Sequence, residues 1–390
     1  MSEITPSSTL IVTFNFPPES GGIETLLYQT TKRLNGEKVV LALDSKGARA
    51  FDQEQEFEIY RLACRFKNSI LRSLFLLPTF FKLIKKYQIK NIHCANIYSA
   101  LVPFLASFIA PVNYSVWAHG MEITILNSKL RSPIYKWIFK SVLRKSSLIF
   151  ANSNFTAKQV KALNIINLKI EVVKLGVDPS DYINISQSAI SEFNDNLLKK
   201  YSMNQDLILF GLSRLVKRKG YDLLFEALKK VEKTYPRFKF FIGGTGPEEK
   251  SLSLLVKRLD LEQKVIFLGK VPQPEVPFYY NVADIFILNN RYLEESEDVE
   301  GFGIVFLEAN LCGTPVIGGR SGGAPDAIED GKTGFLVDSD NPEDIAEKII
   351  KLMEAKELRL KMGLYGKERA IGQYSYENMA KHINNSLKLH

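Results

Sequence analysis

The spacing of apolar residues constrains this chain more than any other feature of its sequence. Short uninterrupted apolar runs alternate with stretches of helical periodicity, and the alternation runs its course and then starts again. A strand that is apolar on both faces has to be covered on both faces, as in a parallel sheet with helices packed on either side. Residues 10–14, 38–43, 89–94, 114–118 and 147–151 read as strands of a first series, with helices at 23–34 and 75–87. Residues 207–212, 238–243, 265–267, 285–288 and 315–317 read as a second series, with helices at 221–232, 248–259 and from Ile304 onward. The polar, Asn- and Ser-rich stretch 182–204 carries no core strand and separates the two, which places the boundary within 176–185. A single core stops growing well short of 390 residues. Two doubly wound parallel-sheet α/β domains follow, 1–180 and 181–373. The two series share a pattern but no repeated sequence.

Composition narrows the class. With 45% hydrophobic and 24% charged residues, the chain is an ordinary globular protein. Cys64, Cys94 and Cys312 stand far apart, with no CxxC pair and no Cys/His cluster. Neither a disulfide framework nor a structural zinc site is implied, and a reducing cytoplasm fits. The N-terminus lacks a basic segment and is not read as a signal peptide. Residues 97–118 form one long uncharged stretch, but Pro103 and Pro111 divide it into a buried helix and a buried strand rather than a membrane span.

The charge is uneven. Residues 1–178 carry 23 Lys/Arg against 12 Asp/Glu, a net of +11; residues 179–390 carry 28 against 31, a net of −3. No nucleic-acid recognition motif accompanies the basic half, so nucleic acid is not expected as a partner. An anionic membrane surface or a phosphate-bearing acceptor accounts for it as well. Segments 66–90 and 129–145 are both basic and aromatic-apolar. In the second, Lys136, Lys140 and Arg144 share one helical face, with Ile134, Ile138 and Val142 near another. Ordinary surface helices would show the same apolar pattern.

Several motifs sit at strand-to-helix turns. Gly21 and Gly22 precede the first helix, where backbone amides can approach a phosphate or simply make a turn. Arg214 and Lys219 follow the first strand of the second series, at the carboxyl edge where parallel sheets bind ligands. Two cations there suit a diphosphate, whereas Lys217 and Arg218 read as a solvated turn. Gly244 lies in a second glycine-rich turn, 241–249, which reads as structural. The most specific stretch is Glu300-Gly-Phe-Gly-Ile-Val-Phe-Leu-Glu308. Its helix is apolar all round, and a glutamate in a buried helix is costly unless its carboxylate is satisfied. His119 ends an apolar strand and reads on its own as a satisfied core histidine. The acidic run Glu294, Glu295, Glu297 and Asp298 reads as a solvated loop or as an element that selects the acceptor.

Together these segments resemble the family 4 retaining glycosyltransferases of the GT-B fold, in which two Rossmann-like domains face each other across a cleft. The likeness runs from Phe14 to the C-terminus and is strongest over 210–338. In the first half it rests on Gly21-Gly22, Val116-Trp-Ala-His-Gly120, Ala151-Asn-Ser-Asn154 and Lys174-Leu-Gly-Val-Asp178. Residues 300–325 resemble especially the mannosyltransferases that act on lipid acceptors.

The resemblance implies roles. Arg214 and Lys219 would hold the donor diphosphate, and Glu300 would contact the donor sugar. Glu308 would accept from the ribose, and His119 would lie near the reacting carbon. Backbone at Gly21, Gly22, Gly301, Phe302, Gly303 and Ile304 would meet phosphate or sugar, with Gly244 beside the nucleotide. The base would lie against Val271 and Pro272. It implies a nucleotide sugar as substrate, a glycan or lipid-linked acceptor, no metal or other cofactor, and a C-terminal segment 374–390 that crosses back onto the first domain. The expected setting is cell-surface polysaccharide, lipopolysaccharide or glycolipid synthesis, in the cytoplasm or peripherally on the inner face of the membrane. A nucleotide-sugar epimerase of related fold, or a non-catalytic sugar-nucleotide binder, would share the nucleotide site.

Overall fold

The computed structural model describes residues 8–19 and 21–388; residues 1–7, on which the signal-peptide reading rests, lie outside them. The chain divides into two compact units, Met1–Gly176 with Tyr376–His390, and Val177–Ser375.

The first unit carries seven strands: β1 (Thr9–Val12), β2 (Lys38–Leu43), β3 (Glu58–Leu62), β4 (Asn91–Cys94), β5 (Ser115–Ala118), β6 (Leu148–Ala151) and β7 (Ile170–Val172). All pair in parallel, in the order β3-β2-β1-β4-β5-β6-β7. The central β1, β5 and β6 are buried along their whole length. The sequence reading missed β3 and β7. Both are outer strands, half-buried or exposed at every residue, so neither carries the unbroken apolar run of a covered strand. Residues 97–118 form the helix Leu101–Ala106 and then β5. Among the described residues no helix is long and apolar enough to cross a membrane.

The second unit carries β8 (Leu207–Leu212), β9 (Phe238–Gly243), β10 (Val265–Gly269), β11 (Ile285–Leu288), β12 (Val316–Gly319) and β13 (Gly334–Val337). These too are parallel, in the order β10-β9-β8-β11-β12-β13. The stretch 182–204 is not a spacer. It holds the second half of the helix Ser180–Ile183 and all of the helix Gln187–Lys200. Phe193 of the latter stacks on Phe278 at 5.2 Å and meets Tyr279 edge-on at 5.0 Å. Most of that helix faces solvent, which explains a composition polar enough to pass for a linker.

The chain leaves the first unit at Gly176, the start of the interval 176–185 in which the sequence places the boundary and four residues before the domain limit of 180. The Val177 amide donates to the Tyr374 carbonyl at 2.7 Å, tying the two ends of the second unit together. The last helix, Tyr376–Lys388, returns to the first unit and packs on the helix Gly22–Arg33. Arg33 pairs with Glu377 at 2.8 Å, and the Asn384 side chain bonds both the Asn35 amide and the Arg33 carbonyl.

Both sheets have the same winding. From β1 the chain moves outward to β3, then returns to start the other half at β4; from β8 it moves out to β10 and returns at β11. Each sheet therefore has a point where the winding reverses, between β1 and β4 and between β8 and β11. At such a point the loops leaving the carboxyl ends diverge and open a crevice, the usual ligand position in this architecture.

Candidate active site

In the second unit the crevice is built from the loops after β8 and β11. The first loop passes through a short turn, Lys217–Lys219, into the helix Tyr221–Thr234. Gly220 joins them at φ +63°, and a Cβ there would lie 2.0 Å from the Asn289 carbonyl just past β11. Only glycine lets the two loops approach this closely.

That approach buries Lys219, which is 7% exposed. Its Nζ bonds Glu300 Oε2, and Arg218 Nη1 reaches the same oxygen at 2.7 Å. Arg218 Nε also pairs with Asp298 at 3.1 Å. Burial alone would push the Glu300 carboxyl upward; Lys219 and Arg218 overcome it and hold it at about 2. Burial pushes the Lys219 ammonium down and Arg218 adds to the effect, against the opposing pull of Glu300. Arg214 is exposed and has no ion pair among the described residues.

The structure thus brings together Lys219 and Glu300, which the resemblance assigns to different parts of the donor. It adds Arg218, which the sequence reading left to solvent; Lys217 is exposed as expected. No spacing rule distinguishes Arg218 from Lys217. The neighbouring basic residues differ only in what the chain brings opposite them.

Gly303 precedes the helix Ile304–Leu311, whose N-terminus has no side-chain cap. The Phe306 amide donates to the Gly303 carbonyl at 3.0 Å, and the amides of Ile304 and Val305 before it stand at the end of the helix that can receive an anion or a sugar oxygen. The Glu300 carbonyl accepts from the Gly323 amide at 2.9 Å, which fixes the approach to this helix. Within the helix, Glu308 accepts from the Tyr280 hydroxyl at 2.8 Å. Burial raises its carboxyl, while hydrogen bonds from Tyr280 and Tyr182 work the other way. The satisfaction that a buried glutamate needs is supplied here by two phenols. Gly244 is required by packing, since a Cβ would lie 1.9 Å from the Ser213 carbonyl. Val271, half-buried, and Pro272, exposed, follow β10, which lies two strands from β8.

In the first unit His119 follows β5. Its Nε2 lies 2.7 Å from the Ala95 carbonyl just past β4, and its ring stacks on Trp117 at 5.8 Å. A carbonyl only accepts, so Nε2 carries a proton. The backbone is clamped as well: the His119 amide donates to Glu122 at 2.6 Å, and Asn152 donates to the His119 carbonyl at 3.0 Å. Gly21 and Gly22 open the helix Gly22–Arg33. Gly21 has an extended backbone, and a Cβ on Gly22 would meet nothing within 4 Å. The described fold therefore makes no demand for glycine at position 22.

Two doubly wound parallel-sheet domains, the second with a buried cation–carboxylate cluster at its switch point, define the GT-B class of nucleotide-sugar glycosyltransferases. The comparisons agree. Residues 20–181 match the family Glycosyltransferase Family 4, and residues 194–369 match Glycosyl transferases group 1. The chain is 29% identical over 387 residues to a GDP-mannose-dependent alpha-(1-6)-phosphatidylinositol monomannoside mannosyltransferase of Mycobacterium tuberculosis, covering 98% of both chains. It is 28% identical to a GDP-mannose-dependent monoacylated alpha-(1-6)-phosphatidylinositol monomannoside mannosyltransferase of Corynebacterium glutamicum, covering 97% of both. Among solved structures it is similar to Anabaena Alr3699/HepE in complex with UDP and glucose, with a TM-score of 0.77 at 21% identity, covering 98% of this chain and 100% of that one. The chain belongs to the family 4 glycosyltransferases.

Proposed function

We propose that the protein transfers mannose from GDP-mannose to a glycolipid acceptor, with retention of anomeric configuration, without a metal, and peripherally at the inner face of the membrane. The observation that carries the reading is the cluster of Arg218, Lys219 and Glu300 at the carboxyl end of β8, on the loop that also carries the exposed Arg214. The choice of donor and acceptor is supported by the names of the relatives that match over nearly the whole chain.

The chemistry follows from charge. The bond between the anomeric carbon and the diphosphate breaks, and negative charge grows on the departing nucleotide. A cation about 4 Å from a phosphate charge contributes about 4 kcal/mol at an effective dielectric near 20. Arg214 and Lys219 in that position strengthen their contacts as charge develops, which is the differential binding that accelerates a reaction. Glu300, ionised between its cations, accepts from sugar hydroxyls, and Glu308 accepts from the ribose. The acceptor oxygen bonds to the anomeric carbon on the face the phosphate leaves, and its proton passes to the departing phosphate oxygen. His119 stands close to the reacting carbon.

A donor screen tests the reading. GDP release from GDP-mannose, dependent on a mannosylated phosphatidylinositol acceptor, supports it, whereas turnover of UDP-sugars alone overturns the donor. NMR of the product decides stereochemistry, since an inverted linkage rules out retention. Activity that disappears in EDTA and returns with magnesium or manganese rules out the metal-free mechanism.

A further inference from the structure

Arg218 does more than neutralise Glu300. Both contacts to the Glu300 carboxylate fall on one oxygen. Lys219 Nζ and Arg218 Nη1 meet at Oε2, and among the described residues Oε1 makes no hydrogen bond. Arg218 is tied a second time, because its Nε pairs with Asp298 at 3.1 Å. One guanidinium thus bridges two carboxylates that stand two residues apart. A planar fork held at two points has a fixed orientation, whereas the Lys219 ammonium is a point charge on a rotatable stem.

Both ends of this bridge are anchored. The Arg218 carbonyl accepts from the Arg291 amide at 2.8 Å. Arg291 is buried and pairs with Asp222, in the first turn of the helix Tyr221–Thr234, at 2.7 Å. At the other end, the Asp298 carbonyl accepts from the Leu293 amide at 3.0 Å, and the Tyr292 hydroxyl donates to Glu297. Glu297 turns the chain in the left-handed region, at φ +55°. The acidic run therefore divides. Glu294 and Glu295 face solvent, while Glu297 and Asp298 are half-buried and Asp298 is folded back onto the loop after β8.

We propose that Arg218 is a positioning residue for the donor sugar: anchored on Asp298, it holds Glu300 by Oε2 and leaves Oε1 to accept from a sugar hydroxyl. The proposal rests on the reading of Glu300 as the sugar contact. A diphosphate that draws on Lys219 competes for one of the two cations at Oε2. Arg218, tied to Asp298, then keeps the carboxylate in place. Precision matters here, since a misplacement of about 1 Å can cost about a hundredfold in rate.

The test compares the full-length wild type with Arg218→Gln, Arg218→Lys, Asp298→Asn and the double variant Arg218→Gln with Asp298→Asn. The readouts are kcat for GDP-mannose with the glycolipid acceptor and the calorimetric Kd for GDP. Arg218→Gln should lower kcat at least about tenfold and leave the Kd for GDP within about threefold of wild type. Arg218→Lys keeps the charge but cannot bridge both carboxylates, and should stay at least about fivefold below wild type in kcat. Asp298→Asn should lower kcat by about threefold or more in the wild-type chain but by less than about twofold in the Arg218→Gln chain, because Asp298 acts through Arg218. Wild-type kcat in Arg218→Gln or Arg218→Lys overturns the proposal. So do additive effects of the two substitutions, or a loss of GDP affinity in step with kcat, which is what a merely structural role would give. Glu300→Gln tests the underlying reading separately: wild-type kcat in that variant removes the sugar contact itself, and the proposal with it.

Discussion

Glu300 and its cations concentrate the residue-scale consequences. The carboxyl is held at about 2 in the folded chain, below its ordinary value of 4.5. A depressed carboxyl contributes stability that is fully present above about pH 4.5 and is lost as pH falls toward 2. The difference in thermal midpoint between wild type and Glu300→Gln should therefore shrink across that window. At neutral pH the variant should be destabilised by about 3–5 kcal/mol, because Lys219 is left buried with its partner gone. A difference that stays constant from pH 7 to pH 2.5 would contradict the pairing. Arg214 makes the contrast. It is exposed and unpaired, so Arg214→Ala should keep stability within about 0.5 kcal/mol while turnover drops at least about tenfold. Lys219→Ala should lose both. Denaturation and steady-state kinetics on the same preparations separate the two effects.

At the scale of elements, the helix Pro133–Lys145 shows how the fold redistributes a pattern. The sequence puts Lys136, Lys140 and Arg144 on one face as the basic side of a membrane-binding helix. In the structure Lys136 bonds the Ser128 carbonyl and Lys140 bonds the Leu163 carbonyl at 3.2 Å, so both hold neighbouring segments of their own domain. Val142 is buried, whereas Ile134 is 72% and Trp137 66% exposed. Phe108 and Ile109, just past the helix Leu101–Ala106, are 71% and 73% exposed. The outward side is thus apolar at its start and basic at its end, with Arg144 and Lys145. Burying a side chain such as Ile or Trp is worth about 1.5–3 kcal/mol. Ile134→Ala with Trp137→Ala should accordingly lower affinity for anionic vesicles by at least about tenfold without altering the thermal midpoint. Binding of the wild type should weaken as salt rises. Failure of the wild type to sediment with such vesicles at low salt would remove the membrane from the proposed function.

At the scale of the molecule, each unit stands on its own sheet, and the last helix belongs to the first. It buries Tyr376, Met379, Ala380 and Ile383. Truncation after Ser375 should destabilise the first unit by several kcal/mol, since large buried side chains cost about 2–5 kcal/mol each, and leave GDP binding by the second intact. Calorimetric unfolding with and without GDP measures this. Equal loss in both transitions would show that the helix serves the two units alike.

The parallel-sheet architecture, the division in two and the motifs at the carboxyl ends of strands were legible in the sequence. Apolar periodicity is a local property of the chain and reports directly whether an element is covered on one face or two. It was silent where cover is partial, which is why β3, β7 and the helix Gln187–Lys200 went unread. Strand order is not local: it depends on which way each crossover turns and what it packs against. Only the folded chain therefore shows that β1 meets β4 and β8 meets β11. The fate of long polar side chains is decided there too. Arg218 and Lys217 are equally basic neighbours, and one becomes part of a buried cluster because Glu300 and Asp298 arrive opposite it. The sequence by itself determined which elements form; the tertiary structure decided which charges meet, because that depends on contacts between segments far apart in the chain.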